Sequence, residues 1–382
     1  MPKVLVFRSE LLPLSETFIK EQILACKRWQ AVLVGIHAVN ELPLDGLDVR
    51  VLRPNKPSYI NRLRWKFSRM RQSIPSSVVN MLRREQASLL HVHFGLDALE
   101  AWPLARALDL PMLVTLHGYD ININREWWEA GHGGNAMRDY PARLMELAKQ
   151  PRVHFIAVSE AIRRRAMSCG IPEKKITVRY IGVDTSKFAP SSPPIVERER
   201  RVLFVGRLVE KKGCEYLLKA FVKVQSVIPD ALLIIVGDGP LRASLQELAH
   251  YLGVQIKFRG GRSSAEIYQE FKLAKALCLP SITAENGDAE GLGIVLLEAQ
   301  ASGVPVVTSA SGGSTEGISD GVTGFAFRER DVSTLSAHLI SLLTDDAVAA
   351  SFAAAGPYLM AEKFDLFQCT ASLESLYDRL VA

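Results

Sequence analysis

The chain has 382 residues, of which 48% are hydrophobic and 23% are charged, and its formal net charge is +5 at pH 7. This length predicts two domains, and the composition is that of an ordinary soluble globular protein rather than of a disordered or fibrous chain. No apolar run approaches the roughly 20 residues that a membrane helix needs, so we expect no membrane span.

The first residues, MPKVLVFRSELLP, become polar too soon for a secretory signal peptide. The five cysteines form neither a Cys-x-x-C pair nor a group with histidines at ligand spacing: Cys26, Cys169, Cys214, Cys278 and Cys369. An odd, unpatterned set of cysteines is typical of reduced thiols. These features predict a cytoplasmic protein.

The first half of the chain alternates short apolar runs with helix-compatible sequence. The runs that we predict as strands are 3–7, 31–36, 49–52, 89–93, 112–116, 154–158 and 177–181. Such alternation predicts a parallel sheet covered by helices on both faces. Segment 190–200, PSSPPIVERER, is rich in Pro and Ser and then charged, which is typical of a linker.

The second half repeats this rhythm. Its predicted strands are 201–205, 231–236, 255–258, 275–279, 305–308 and 324–327, and helices are predicted over 214–228, 240–252 and 264–271. The final segment, about 351–382, is also helical in pattern. The fold class is therefore α/β with two Rossmann-like, doubly wound domains, and a ligand is expected at the carboxyl ends of the strands.

Segment 50–84 contains many basic residues and no acidic residue, and Trp65, Phe67 and Met70 lie among the central bases. Such a segment can lie on an anionic membrane surface or bind nucleic acid. It can also be a solvated basic helix packed on its own domain, and this alternative stays open beside the membrane interpretation. No nucleic-acid motif accompanies the charge, so we expect no nucleic-acid partner.

The most informative segment is 279–307, LPSITAENGDAEGLGIVLLEAQASGVPVV. A strand ends at its start, and an acidic loop leads to Glu290. The next residues connect that loop to a helix-like run: Gly291, Leu292, Gly293 and Ile294. Loop glycines before a helix expose backbone N–H groups that suit a phosphate. Glu298 follows Glu290 by eight residues, about two and a quarter turns if the helix covers most of the interval.

Each of these glutamates taken singly is an ordinary loop or helix carboxylate. Glu298, however, lies between Leu297 and Ala299 in a run too apolar for a solvated face, so its carboxylate needs a partner. The spacing from Glu290 allows the two carboxylates to face different parts of one ligand. A nucleotide sugar, with hydroxyls on both sides of a diphosphate, is such a ligand.

Further polar residues follow other predicted strands. In VGRLVEKKG, Arg207 lies at a strand end, and Lys211 and Lys212 precede a helix. These cations can hold a diphosphate. Alternatively, they are charged loop residues without a ligand. VGDGP, which contains Gly237, is good turn sequence. FRGG places Arg259 at the end of another strand. In SGGSTEGI, Gly312 and Gly313 allow the backbone to approach a ligand closely. Glu316 in that motif can also cap a helix.

In the first half, TLHGYD ends a buried strand with His117, and we expect Asp120 to orient this loop. HVHFG ends the preceding strand, and alternation places His91 and His93 on one face. No third ligand stands at a fitting spacing and no Asp-x-Asp motif is present, so we predict no metal site.

PLSETFI follows the first strand, and Ser15 is a candidate N-cap for a helix from about Thr17.

Together these motifs resemble those of retaining glycosyltransferases of the GT-B fold in family four. The resemblance implies two domains facing across a cleft, and it is strongest over 201–325. It implies that Glu298 binds the nucleotide ribose, that Arg207 and Lys212 contact the donor diphosphate, and that Lys211 is exposed. Glu290 and His117 would lie beside the donor sugar. The loop of Gly237 would line the donor cleft. The backbone of FRGG would read the nucleobase, with Arg259 or Arg262 as a further base contact.

The S-E-T-F signature also resembles bacterial exopolysaccharide transferases of the colanic acid and amylovoran type. The implied domains are 1–189, a linker at 190–200, a nucleotide-sugar-binding domain at 201–362, and a last helix at 363–382 that returns to the first domain. The expected partners are a nucleoside diphosphate sugar and a glycan or lipid-linked acceptor, with peripheral membrane contact through 50–84 and no cofactor. Alternatives are a nucleotide-sugar epimerase of the same fold and a non-catalytic nucleotide-sugar-binding protein.

Overall fold

The computed structural model describes residues 1–39, 42–53 and 74–382. The chain divides into two compact units. Unit 1 consists of Met1–Gly182 and Leu366–Ala382, and unit 2 consists of Val183–Asp365. Each unit contains a parallel sheet with its own buried apolar core. The central arginines and aromatic residues of the predicted basic segment, Arg62 to Arg71, lie outside the described residues.

Unit 1 is built on a seven-stranded parallel sheet. Its strands are β1 Lys3–Leu11, β2 Gln30–Ala38, β3 Asp48–Val51, β4 Leu89–His93, β5 Met112–Leu116, β6 Val153–Ala157 and β7 Ile176–Val178. They pair in the order β3-β2-β1-β4-β5-β6-β7. Every residue of β4 and β5 is buried, as in a sheet that is covered on both faces.

The helices of unit 1 cover this sheet. They are α1 Thr17–Ala25, α2 Ser76–Arg83, α3 Gly95–Leu108, α4 Tyr119–Asn122, α5 Arg125–Glu129, α6 Tyr140–Ala148 and α7 Glu160–Ser168. Helix α1 begins after a short 3-10 turn, and no side chain caps it, so the predicted capping role of Ser15 is wrong. Ser15 lies inside the 3-10 turn Leu14–Glu16, which leads directly into the helix.

Unit 2 is built on a six-stranded parallel sheet. Its strands are β8 Arg201–Val205, β9 Leu232–Val236, β10 Ile256–Gly260, β11 Ala276–Leu279, β12 Val306–Ser309 and β13 Gly324–Phe327, in the order β10-β9-β8-β11-β12-β13. Its helices are α8 Cys214–Val227, α9 Arg242–Leu252, α10 Ser264–Leu273, α11 Ile294–Ala301, α12 Val332–Thr344 and α13 Asp346–Lys363. The predicted alternation of strands and helices is confirmed in both units.

The last helix, α14 Leu366–Val381, packs on unit 1. Glu374 is buried, and its Oε1 accepts the backbone N–H groups of Lys27, Arg28 and Trp29 at 2.9, 2.7 and 2.9 Å. Three apolar or aromatic side chains of the helix enter the same core as β1 and β2: Leu373, Leu376 and Tyr377. These contacts attach the end of the chain to the unit that holds its beginning.

Within the described residues, no single helix is both long and apolar enough to cross a membrane. Helices α12 and α13, which meet at a bend of 94°, satisfy the length and composition requirement only when they are taken together.

Candidate functional site

Most candidate donor-site residues of unit 2 lie in loops at one edge of its sheet, while Glu298 lies on helix α11 and Arg259 in strand β10. All six strands run in parallel, so the loops that follow β8, β9, β11 and β12 emerge at their carboxyl ends. Two of these loops are joined by a backbone hydrogen bond, since the Ile282 N–H donates to the Lys211 carbonyl at 2.8 Å. This hydrogen bond holds the loop after β8 against the loop after β11.

Lys212 and Glu290 form an ion pair across this edge, with Nζ 2.5 Å from Oε2. Ser281 Oγ donates to the same carboxylate oxygen at 3.2 Å. Burial opposes ionisation of Glu290, but the charges of Lys212 and Lys211 and these hydrogen bonds outweigh it and lower the pKa of Glu290 to about 2. Glu290 is therefore a fixed, ionised carboxylate at neutral pH.

Lys211 forms a second ion pair beside the first. Its Nζ lies 3.1 Å from the Asp288 carboxylate, and both side chains are mostly buried. The expectation that Lys211 is exposed is therefore wrong, because Asp288, on the acidic loop before Glu290, turns back and holds it. Burial raises the pKa of Asp288 despite the positive charge of Lys211.

Two glycines hold the loops close together around Glu290. Gly312 has φ +54, and a Cβ on it would lie 2.0 Å from the Glu290 carbonyl oxygen. The N–H of Gly313 donates to the same oxygen at 2.9 Å. These glycines thus allow a close approach between two backbone segments of the protein, and the approach to a ligand stays a prediction. Glu316 lies in the short 3-10 turn Ser314–Gly317 that follows.

Helix α11 begins at Ile294, directly after Gly293, whose φ is +76. No side chain caps this helix, so its first backbone N–H groups are left to other partners. Glu298 is half-buried about one turn into the helix. The spacing argument assumed that the helix covers most of the interval from Glu290 to Glu298. It does not, because Gly291 and Leu292 still belong to the buried loop.

Arg207 is exposed in the loop after β8. Gly237, after β9, has φ +134, and a Cβ there would lie 1.9 Å from the Gly206 carbonyl oxygen, so these two loops are in close contact. Arg259 lies in the edge strand β10 and is exposed, and its Nε is 3.7 Å from the Glu270 carboxylate. The structure thus places Arg207 and Gly237 on adjacent loops and Arg259 on the neighbouring strand.

In unit 1, His117 follows β5 and is half-buried. Its Nε2 lies 3.0 Å from Nδ1 of His93, at the end of the adjacent strand β4. The Asp120 carboxylate accepts the backbone N–H groups of His117 and Gly118, at 3.1 and 2.9 Å, which matches the loop-orienting role predicted for it. Burial, and then the charge of Arg8, hold the pKa of His117 well below its usual range.

Sequence reasoning missed a buried ionic cluster beside these histidines. Arg8 donates from Nε and Nη2 to both oxygens of Glu16, at 2.8 and 2.6 Å, and from Nη1 to Asp97. Its guanidinium lies 4.4 Å from the centre of the Phe94 ring. The sequence did show Arg8 at the end of the first predicted strand and Glu16 in the S-E-T motif. It did not show that the turn between them brings the two side chains into contact.

Among residues 1–39, 42–53 and 74–382, no three His, Cys, Asp or Glu side chains are grouped to hold a metal ion. His91 and His93 do lie side by side, with ring centroids 4.5 Å apart, as strand alternation predicted. His91 is engaged on both nitrogens, by the Tyr377 hydroxyl and by Thr115 Oγ1, each at 2.7 Å.

The fold is that of GT-B glycosyltransferases. The crystal structure of HepE from Anabaena in complex with UDP and glucose superposes with a TM-score of 0.80 at 19% identity, covering 99% of this chain and 100% of HepE. Sucrose-phosphate synthase from Thermosynechococcus elongatus gives a TM-score of 0.77 at 18% identity, with 100% and 98% covered. Identities this low establish the architecture alone.

Two family models cover most of the chain. Glycosyltransferase Family 4 matches residues 29–187, and Glycosyl transferases group 1 matches residues 186–357. The first half of the chain thus matches one glycosyltransferase family model and the second half another, which confirms the resemblance drawn from its motifs.

Relatives in several bacteria are similar over part of their length. A GDP-mannose-dependent alpha-(1-6)-phosphatidylinositol monomannoside mannosyltransferase of Mycolicibacterium smegmatis is 36% identical over 52% of this chain and 55% of its own length. The chain thus spans about half the length of such relatives. The amylovoran biosynthesis glycosyltransferase AmsK of Erwinia amylovora is 28% identical over 78% of this chain and 72% of AmsK.

Proposed function

We propose that this protein transfers a sugar from a nucleoside diphosphate sugar to an acceptor hydroxyl with retention of anomeric configuration. The observation that carries the proposal is the mostly buried Lys212–Glu290 pair at the carboxyl edge of the unit 2 sheet. An ammonium and an ionised carboxylate side by side provide a partner for phosphate and a partner for sugar hydroxyls within one site.

Arg207 and Lys212 neutralise the leaving diphosphate. Arg207 supplies a forked set of donors and Lys212 a point charge, and both follow β8. The backbone N–H groups of the loop before α11 and of its first residue add further donors: Gly291, Leu292, Gly293 and Ile294. With charge stabilisation from these groups, the reaction proceeds without a bound metal ion.

The remaining donor contacts are proposed for residues of unit 2 and for His117 of unit 1. Glu298, on α11, binds the nucleotide ribose. The backbone at Gly237 lines the nucleotide, and Arg259 lies near the base. His117 and Glu290 position the donor sugar. In the transfer step, the bond from the anomeric carbon to the diphosphate breaks as the acceptor oxygen bonds to that carbon. The acceptor proton passes to a departing phosphate oxygen on the same face.

The acceptor is a growing glycan of an exopolysaccharide or another cell-surface polymer, carried on a lipid at the cytoplasmic face of the plasma membrane. The name of AmsK concerns amylovoran biosynthesis, and that of the Mycolicibacterium smegmatis relative concerns a phosphatidylinositol mannoside. Segment 50–84 would contact the anionic membrane. Reversing Arg62, Arg64, Arg69 and Arg71 to Glu should then release the protein from anionic vesicles, and unchanged partitioning would contradict the membrane contact.

The test is a product assay with a panel of UDP-, GDP- and ADP-sugars, run with and without a lipid-linked glycan extract. The proposal predicts that one donor releases its nucleoside diphosphate in step with acceptor glycosylation, and that NMR shows the donor's anomeric configuration in the product. Turnover that needs no acceptor would favour epimerisation with hydrolysis. Glu290→Gln should be inactive in this assay. If the wild type binds a nucleotide sugar but does not turn it over, a non-catalytic binding protein would be favoured.

A further inference from the structure

The contact between His117 and His93 joins one ring nitrogen of each residue. Nε2 of His117 and Nδ1 of His93 are 3.0 Å apart, so one proton lies between them. Burial, with added repulsion from Arg8, holds the pKa of both imidazoles well below the usual range, so both rings are neutral. A neutral imidazole has one N–H and one bare nitrogen. The position of the shared proton therefore fixes the tautomer of both rings.

The second ring nitrogen of His93 decides between the two arrangements. Nε2 of His93 is buried and has no hydrogen-bond partner among the described residues. If His117 donated to His93, the proton of His93 would be on this nitrogen, as a buried N–H without an acceptor. Unsatisfied buried N–H groups are rarer than unsatisfied acceptors. The favoured arrangement has His93 donating from Nδ1 to Nε2 of His117.

The surrounding rings hold this geometry. His91 is fixed by Tyr377 and Thr115 and lies 4.5 Å from the His93 ring centre. The Phe94 ring lies 4.4 Å from that of His117. No side chain of the described residues hydrogen-bonds to Nδ1 of half-buried His117. That nitrogen remains available to a ligand.

We propose that His93 is a positioning residue that holds neutral His117 in the tautomer with its proton on Nδ1. His117 then donates one hydrogen bond to a sugar oxygen and cannot act as the base for the acceptor hydroxyl. This inference rests on the proposed function for the identity of the ligand. The tautomer itself is a property of the free protein and can be measured without substrate.

The first test is a two-bond ¹H–¹⁵N correlation spectrum of the full chain labelled with ¹⁵N-histidine, recorded without ligand at pH 7. The chain has 8 histidines, and the His117 signals are those that disappear in His117→Gln. The proposal expects a protonated Nδ1 and a bare Nε2 for His117. A protonated Nε2 with a bare Nδ1 would overturn it, and so would a charged ring.

A kinetic test separates positioning from packing. His93→Gln and His93→Met place neutral side chains of similar length beside His117, but only the Gln amide can donate a hydrogen bond to Nε2 of His117. His93→Met should lose about tenfold more kcat than His93→Gln, the effect of one hydrogen bond, with unchanged stabilisation by nucleoside diphosphate.

Equal losses of kcat in both variants would mean that His93 only fills space, and would contradict the inference. If neither variant folds, the wild-type spectrum alone decides. If the wild type transfers no sugar, the proposed function fails, while the spectrum still tests the tautomer.

Discussion

Lys212 Nζ donates to Glu290 Oε2 at 2.5 Å, although the two residues are 78 positions apart in the chain. The pair joins the loop after β8 to the loop after β11, two strands that are neighbours in the sheet. Since both side chains are mostly buried, neither charge has full access to water. The pair therefore joins the two loops of the candidate donor site and also supplies the two charges that the proposed chemistry uses.

Replacing Lys212 with Met should destabilise the protein by about 3 kcal/mol, because it leaves the buried Glu290 carboxylate without its cation. The double variant Lys212→Met/Glu290→Gln should recover most of this loss, since no isolated charge remains. Neither variant should be stabilised by a nucleoside diphosphate. Chemical denaturation measures the stabilities, and a double variant as unstable as Lys212→Met would show that the pair is not coupled.

The depressed pKa of Glu290 predicts a specific acid sensitivity. Its pKa falls from 4.5 in the unfolded chain to about 2 in the folded one. The stabilisation from the ionised carboxylate is therefore complete above about pH 4.5 and is lost as the pH falls toward 2. The difference in unfolding free energy between the wild type and Glu290→Gln should be flat from pH 5 to 8 and shrink below 4.5. A change between pH 6 and 8 would contradict this assignment.

Gly312→Ala should disturb the Glu290 loop far more than a matched glycine substitution elsewhere. The added Cβ would lie 2.0 Å from the Glu290 carbonyl oxygen, so the backbone must move. Gly321 also has positive φ, +72, but open space around it. Gly321→Ala should cost about 1 kcal/mol from backbone strain alone. Gly312→Ala should cost more and abolish diphosphate binding; equal losses by thermal denaturation would contradict the close approach.

Glu374→Ala should destabilise unit 1 by about 2 kcal/mol, because three backbone N–H groups, of which that of Trp29 is buried, lose their acceptor. Glu374→Gln is the matched control. It keeps a carbonyl oxygen that can occupy the position of Oε1, so it should lose much less stability. Hydrogen exchange at the amides of Lys27, Arg28 and Trp29 should accelerate only in the alanine variant. Similar exchange in both variants would show that the acceptor is not responsible.

Much of this fold follows from local sequence. Strands 89–93, 112–116, 201–205 and 324–327 were predicted with the bounds that the structure has, because each is a short apolar run ended by turn or polar residues. The helical tail 351–382 instead consists of two helices separated at Phe364 and Asp365. No glycine or proline marks that break, so periodicity alone could not locate it.

The candidate site was less predictable, because its contacts join distant positions. Lys212 and Glu290 each ended a recognisable motif, but their ion pair depends on the order of β8 and β11 in the sheet. Glu16 looked like a loop residue in the S-E-T turn, and only the folded turn shows that it binds Arg8. The family resemblance implied an exposed Lys211, and the ion pair with Asp288 that buries it depends on how the acidic loop folds back.

The most direct test of a donor site at this edge is thermal stabilisation by UDP, GDP, ADP and their sugar conjugates in the wild type, Arg207→Ala and Arg200→Ala. Arg200 is the control, since it precedes β8 at the opposite end of the strand and pairs with Asp230 at 3.0 Å. We expect one nucleoside diphosphate to raise the Tm of the wild type and of Arg200→Ala, and to leave the Tm of Arg207→Ala unchanged. No shift with any nucleotide, or an equal shift in Arg207→Ala, would contradict the account.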